Sequence, residues 1–134
     1  MALRGGTGRI LVMDDEAGIR ELLSVLLTSL GYEVVCTPDG AEAITVYQRA
    51  QASEQPFTAV ILDITIPGGL GGKETMARLR AADPQVKALI SSGYAHDPIL
   101  ANFAQYGFCG VVTKPYTVEQ LHHTLQGVIH GRQG

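Results

Sequence analysis

The chain has 134 residues, 46% of them hydrophobic and 17% charged, and a formal net charge of −3. That length suits one domain with a real core, the charge gives no basic footprint for nucleic acid, and no apolar run approaches the ~20 residues of a membrane span. No secretory signal is visible at the N-terminus, so the expectation is a soluble, cytoplasmic domain that makes no membrane contact. Cys36 and Cys109 match no metal-ligand spacing and read as buried thiols.

Residues 1–8 read as a linker or cloning remnant, 9–131 as one domain and 132–134 as a tail, ends that suit a module of a longer chain. Residues 9–13 form a first apolar strand, closed by Asp14, Asp15 and Glu16. A helix follows, with Ile19, Leu22, Leu23, Leu26, Leu27 and Leu30 on one apolar face and Gly31 as its stop. Residues 32–36 are a second strand. Asp39 is placed to cap a second helix with Ile44, Tyr47 and Ala50 inward. The third strand, 57–62, holds a continuous apolar run and delivers Asp63 to its exit; such a run reads as buried on both faces, as in a parallel sheet.

Beyond a glycine-rich loop, 70–82 reads as a helix with Met76 and Leu79 inward, ended by Asp83 and Pro84. Residues 86–91 are a fourth strand, and Ser92 and Gly93 a turn. Asp97 caps a short helix that opens on Pro98, carries Ile99, Leu100 and Phe103, and stops at Gly107. Residues 108–112 are a fifth strand. After Lys114 and Pro115, Thr117 and Gln120 match a capping box, and Leu121, Leu125, Val128 and Ile129 face the core from the last helix. Strands alternating with helices imply βαβ units, a parallel sheet and helices on both faces: an α/β fold.

In a parallel sheet the strand C-termini share one edge, and ligands bind there. This chain places Asp14 and Asp15 at that edge from strand one, Asp63 from strand three, Ser91 and Ser92 from strand four, and Lys114 after strand five; strand two ends in neutral Thr37. With strands one and three adjacent, three carboxylates converge. Like charges so close repel and raise one pKa. A divalent cation relieves this, and carboxylates with room for water and phosphate favour Mg²⁺. A carboxylate nucleophile (Asp63), a metal, a lysine and a hydroxyl together make a phosphoryl-transfer site.

Each residue alone has a plainer reading. Asp14 and Asp15 could cap a helix, Asp63 and Ser92 could be turn residues, and Lys114 a solvated charge. Their joint placement on one edge favours the site. His96, His122, His123 and His130 read as solvated positions. The glycine-rich loop is not a P-loop, because Pro67 and Glu74 stand where glycine and Ser or Thr are needed.

From Arg9 to Ile129 the chain resembles the receiver domain of two-component response regulators. The marks are Asp14 and Asp15, Asp63, Ser92 with Gly93, and Lys114 with Pro115, in that order and spacing. The stretches 63–69 and 91–94 further resemble receivers of hybrid sensor histidine kinases. The resemblance implies a flavodoxin-like (βα)5 fold, doubly wound, with a five-stranded parallel sheet in the order 2-1-3-4-5. It implies a phosphorelay in which Asp63 takes a phosphoryl group from the phosphohistidine of a sensor histidine kinase or a histidine phosphotransfer domain. Mg²⁺, with Mn²⁺ as a substitute, would be ligated by Asp15 and Asp63, by the Thr65 backbone carbonyl, and by Asp14 mainly through water. Ser92 would hydrogen-bond the phosphoryl group and Lys114 would pair with it. The peptide bond before Pro115 is expected to be cis. One departure stands out: Val111 occupies the position, three before the lysine, where many receivers carry a Tyr or Phe switch ring.

The expectation is therefore a signalling phosphoacceptor and not an enzyme in the ordinary sense. Two other readings compete. One is a receiver-like phosphate sink or unphosphorylated binding module, which Val111 keeps in view. The other is an aspartate-nucleophile phosphatase, which lacks its general acid because Thr65 stands where the second aspartate should be.

Overall fold

The computed structural model describes residues 8–64, 71–93 and 98–130. The elements follow in the order β1 (Arg9–Met13), α1 (Ala17–Ser29), β2 (Glu33–Thr37), α2 (Gly40–Gln51), β3 (Ala59–Asp63), α3 (Gly72–Ala82), β4 (Ala88–Ser92), α4 (Pro98–Ala101), a 3-10 turn (Phe103–Tyr106), β5 (Gly110–Thr113) and α5 (Val118–Ile129). All strand pairs are parallel and the sheet order is β2-β1-β3-β4-β5. The α/β fold and the strand order are those anticipated.

Strand alternation divides the core into two layers. Leu11, Val60, Leu62, Ala88 and Ile90 pack against α2, α3 and α4 through Tyr47, Met76, Leu79 and Ile99. Ile10, Val12, Ala59, Ile61 and Leu89 pack against α1 and α5 through Leu23, Leu27, Leu121 and Leu125. β3 is buried along its whole length, as its unbroken apolar run requires. Among the described residues, no helix is long and apolar enough to cross a membrane.

The structure departs from several expectations. Leu22 is 40% exposed; at 100° per helical residue it lies about 80° from the centre of the α1 stripe. Ile44 is likewise only half-buried, and small Ala43 takes the inward place beside Tyr47 and Ala50. The short helix after Pro98 breaks at Asn102, whose amide side chain donates to the Pro98 carbonyl (3.4 Å) and competes with helical bonding. Gly107, at φ +93°, closes the following turn in the left-handed region. β5 runs Gly110–Thr113, and Cys109, just ahead of it on the edge strand with its N–H on the Ala88 carbonyl at 2.8 Å, is exposed and not buried. Cys36 is half-buried, with its thiol donating to the Arg20 carbonyl at 3.6 Å.

The predicted capping box is half-formed. Thr117 Oγ1 accepts from the Gln120 N–H at 3.2 Å, but the Gln120 amide turns back to Thr113 Oγ1 at 3.4 Å. Asp39 caps α2 as expected, accepting from the Glu42 N–H at 2.9 Å. Met76 and Leu79 face inward from α3 as expected, whereas the anticipated helix start at Leu70, the cap at Asp97, and His96 lie outside the described residues.

Candidate functional site

The C-terminal ends of β1 and β3 lie side by side, with Met13 opposite Leu62 in register. The next residues carry the carboxylates. Oxygens of Asp14, Asp15 and Asp63 all lie within 4.8 Å of one another. Asp14 and Asp63 are buried, whereas Asp15 is exposed.

Asp14 is fixed by its surroundings. Its N–H donates to the Thr37 carbonyl at 3.1 Å, which extends the β1–β2 pairing by one residue. Its Oδ1 accepts from the Glu16 N–H at 2.9 Å, an Asx-type turn that starts α1 without being the helix cap itself. The Arg20 guanidinium donates to its carbonyl at 2.7 Å. Its Oδ2 accepts no hydrogen bond among the described residues and meets Lys114 Nζ at 3.3 Å as an ion pair only.

Lys114 closes the site from the far side. Its Nζ is 3.5 Å from Asp63 Oδ1 and 3.9 Å from the exposed Glu16 carboxylate. The Lys114 N–H donates to the Ser92 carbonyl at 3.0 Å, which seats the lysine beside the end of β4. The Lys114–Pro115 peptide is cis. Ser92 is buried at the same edge.

The electrostatics follow from this crowding. Burial first and then the charge of Asp14 push the Asp63 carboxyl up to about 6; Lys114 opposes the shift and Asp15 adds to it. Burial pulls the Lys114 ammonium down, but Asp63 and Asp14 outweigh it and the net shift is upward.

Glycines bring α3 to the acceptor strand. A Cβ on Gly72 would lie 2.5 Å from the Asp63 carbonyl and 2.7 Å from Ile90 Cδ1, and one on Gly71 would lie 2.8 Å from the Ile64 carbonyl. Only a residue without a side chain lets the helix start so near the β3 exit. Thr65, expected to add a carbonyl, lies outside the described residues.

Sequence reasoning missed Tyr116. It is 8% exposed, packs in the α1/α5 layer, and its hydroxyl hydrogen-bonds with that of Ser91, the cross-strand partner of Asp63. The available signal was an aromatic residue with a polar tip directly after Lys114 and Pro115. His122 is half-buried on α5 and His123 and His130 are exposed, on a different element from the three carboxylates. A shallow depression at the opposite rim, lined by Gly8, Arg9, Gly31, Glu33 and Pro56, includes none of the residues that converge at the carboxylate edge.

Comparison with known proteins bears on this arrangement. The response regulator receiver domain family matches residues 10–126, and the chain belongs to that family. A relative from Bacillus subtilis (strain 168), the uncharacterized transcriptional regulatory protein YkoG, is 32% identical over 114 residues, 85% of this chain and 47% of its own length. Sporulation initiation phosphotransferase F of the same organism is 25% identical over 88% of this chain and 90% of its own. Sensor kinase CckA of Brucella abortus (strain 2308) is 27% identical over 92% of this chain but only 13% of its own length. The chain thus spans about half the length of the transcriptional regulator.

Among solved structures, the chemotaxis protein CheY4 of Vibrio cholerae superposes with a TM-score of 0.79 at 28% identity, over 92% of this chain and 99% of that one. The receiver domain of sensor histidine kinase PA1611 from Pseudomonas aeruginosa PAO1, solved with a magnesium ion in its active site cleft, superposes with a TM-score of 0.80 at 24% identity, over 93% of this chain and 99% of that one. The protein is a receiver domain of two-component signalling, with the flavodoxin-like fold of that family.

Proposed function

We propose that residues 9–131 form a phosphoacceptor receiver in which Asp63 takes a phosphoryl group from a phosphohistidine in a Mg²⁺-dependent reaction. The observation that carries this reading is the meeting of three carboxylates within 4.8 Å, with Lys114 Nζ 3.5 Å from the central one. The donor set fits a hard divalent cation: all oxygen, two of three carboxylates buried, and an Asp14 oxygen that accepts no hydrogen bond among the described residues. Asp14, Asp15 and Asp63 would hold the ion, with the Thr65 carbonyl proposed beside them. When bound, Mg²⁺ supplies positive charge that offsets the carboxylates and the phosphoryl oxygens.

The chain's own residues do the rest. An Asp63 carboxylate oxygen forms a bond to phosphorus, the phosphorus–nitrogen bond of the donor imidazole breaks, and its electron pair returns to that nitrogen. Raised basicity makes Asp63 a better nucleophile once ionised, and Lys114 stabilises the transferring phosphoryl oxygens with a fixed charge. Ser92, buried at the same edge, hydrogen-bonds the bound group. The donor is a sensor histidine kinase or a histidine phosphotransfer domain; similarity to a phosphotransferase and to part of a sensor kinase supports this. On this reading the domain turns over nothing but its own phosphoryl group.

A second reading concerns output. Val111 is half-buried against the α2/α3/α4 layer, and a valine offers no ring to swing inward. This favours an acceptor or phosphate sink whose response is confined to the site's own loops.

The test uses acetyl phosphate or phosphoramidate with Mg²⁺, followed by intact mass. One added phosphoryl group is expected, absent in EDTA and absent in Asp63→Asn. Unchanged mass with both donors would overturn the proposal.

A further inference from the structure

Tyr116 has no part in the chemistry just described, yet it is built into the site's frame. Its ring is buried in the α1/α5 layer with Leu121 and Leu125. Its hydroxyl hydrogen-bonds with the Ser91 hydroxyl, and Ser91 is itself 1% exposed. These two side chains come from different strands' exits. Ser91 stands opposite Asp63 in the β3–β4 register, and its carbonyl accepts from the Ile64 N–H at 3.0 Å, so its backbone is tied to both sides of the acceptor. Tyr116 stands two positions past Lys114, with only Pro115 between them. One hydroxyl pair therefore connects the neighbour of the acceptor to the turn that carries the lysine.

The second tie between these segments is the Lys114 N–H to the Ser92 carbonyl at 3.0 Å. A backbone bond there fixes where the lysine leaves the chain, but a turn held at one point can still pivot. The Tyr116–Ser91 pair supplies a second fixed point past Pro115 and on the opposite side of Lys114. Buried hydroxyls left without a partner are costly, so the pair also resists separation.

We infer that Tyr116 and Ser91 are positioning residues that hold Lys114 in reach of a phosphoryl group on Asp63. The inference rests on the phosphoacceptor reading and assigns no contact of Tyr116 with the transferred group. Its consequence is selective. The carboxylates that would hold Mg²⁺ are placed by β1 and β3, and the lysine only competes with the cation for them, so loosening the lysine turn does not weaken Mg²⁺ binding, whereas it does weaken phosphoryl binding.

The experiment measures two affinities on the whole chain, Mg²⁺ alone and beryllofluoride in saturating Mg²⁺, the latter standing in for the phosphoryl group. Tyr116→Phe is expected to weaken beryllofluoride roughly 3- to 10-fold, the range one neutral hydrogen bond spans, and to leave Mg²⁺ affinity within about twofold. Ser91→Ala should do the same, and the double variant should be no worse than either alone. In a Lys114→Ala background the Tyr116→Phe effect should vanish. The inference is overturned if Mg²⁺ and beryllofluoride weaken together, or if the loss persists without Lys114. If the unaltered chain binds Mg²⁺ but not beryllofluoride, the phosphoacceptor reading itself has failed, a result distinct from either.

Discussion

Lys114 Nζ lies 3.5 Å from Asp63 Oδ1 across 51 residues of sequence. The same nitrogen is 3.3 Å from Asp14, so a single ammonium, 19% exposed, answers two buried carboxylates. Removing it leaves them unpaired at low exposure, where an uncompensated charge is costly. Lys114→Gln should lower the stability of the metal-free protein at neutral pH by about 1–3 kcal/mol. It should also tighten Mg²⁺ binding, because the cation no longer displaces a resident ammonium. Denaturant unfolding in EDTA and a Mg²⁺ titration check both; weaker Mg²⁺ binding in the variant would show that the lysine does not compete for the carboxylates.

Asp63 gives a pH dependence with a definite sign. Its folded value of about 6 lies above the ordinary 3.8. As pH rises, the unfolded chain ionises first, so stability is fully present below the unfolded value and is lost as pH climbs through the folded one. From about pH 4 to about pH 7 this amounts to a loss on the order of 2 kcal/mol in the metal-free protein. Asp63→Asn should therefore match the unaltered chain near the low end and exceed it at neutral pH, and excess Mg²⁺ should shrink the difference. Unfolding curves in EDTA at both pH values decide it; a variant that is less stable at neutral pH would reverse the assigned sign.

The arrangement of the sheet was readable because each strand is an apolar run that ends on a polar residue. The runs name five strands, the intervening amphipathic periods make the crossovers helical, and a parallel sheet then puts all the polar strand ends on one edge. That Asp14, Asp15, Asp63 and Lys114 share one edge follows from that geometry; that strands one and three are neighbours, which brings the carboxylates together, was implied only by the resemblance to receiver domains. Other features depend on partners far apart in sequence. Ser91 and Tyr116 look like a turn hydroxyl and a loop aromatic until folding brings them together. Leu22 belongs to the apolar pattern of α1 but stands at its margin, and periodicity does not say how wide a stripe the sheet will cover. The exposed Cys109 shows the same limit: its N–H bonds the Ala88 carbonyl at 2.8 Å, yet an apolar segment does not say which side chains an edge strand leaves in solvent.

Gly72 and Gly93 flank the site and should tolerate a methyl group very differently. At Gly72 the added carbon would meet the Asp63 carbonyl at 2.5 Å, and backbone on a buried central strand has nowhere to go. At Gly93 it would meet Lys114 Cδ at 3.7 Å, an ordinary contact with a flexible side chain. Gly72→Ala should destabilise by about 1–3 kcal/mol despite alanine's better helix propensity. Gly93→Ala should stay within about 0.5 kcal/mol. Thermal unfolding of both variants in EDTA is the measurement, and equal effects would mean that α3 can back away from β3 at little cost.

The half-formed capping box before α5 separates two side chains that a sequence motif treats as a pair. In a reciprocal box the glutamine would return a bond to the threonine N–H, and losing either side chain would free a helix-end donor. Here only the Thr117 hydroxyl serves the helix, accepting from the Gln120 N–H at 3.2 Å, while the glutamine amide reaches Thr113 on an exposed surface at 3.4 Å. Thr117→Ala should cost about 1 kcal/mol, and Gln120→Ala no more than about 0.5 kcal/mol, since alanine's helix propensity offsets a solvent-exposed bond. Equal losses in chemical denaturation would restore the reciprocal box. Because α5 covers Ile61 and Leu89 through Leu121 and Leu125, fraying its first turn should loosen the Thr113–Thr117 segment that carries Lys114. Amide exchange at Gln120 and Leu121 should therefore quicken in Thr117→Ala and stay unchanged in Gln120→Ala.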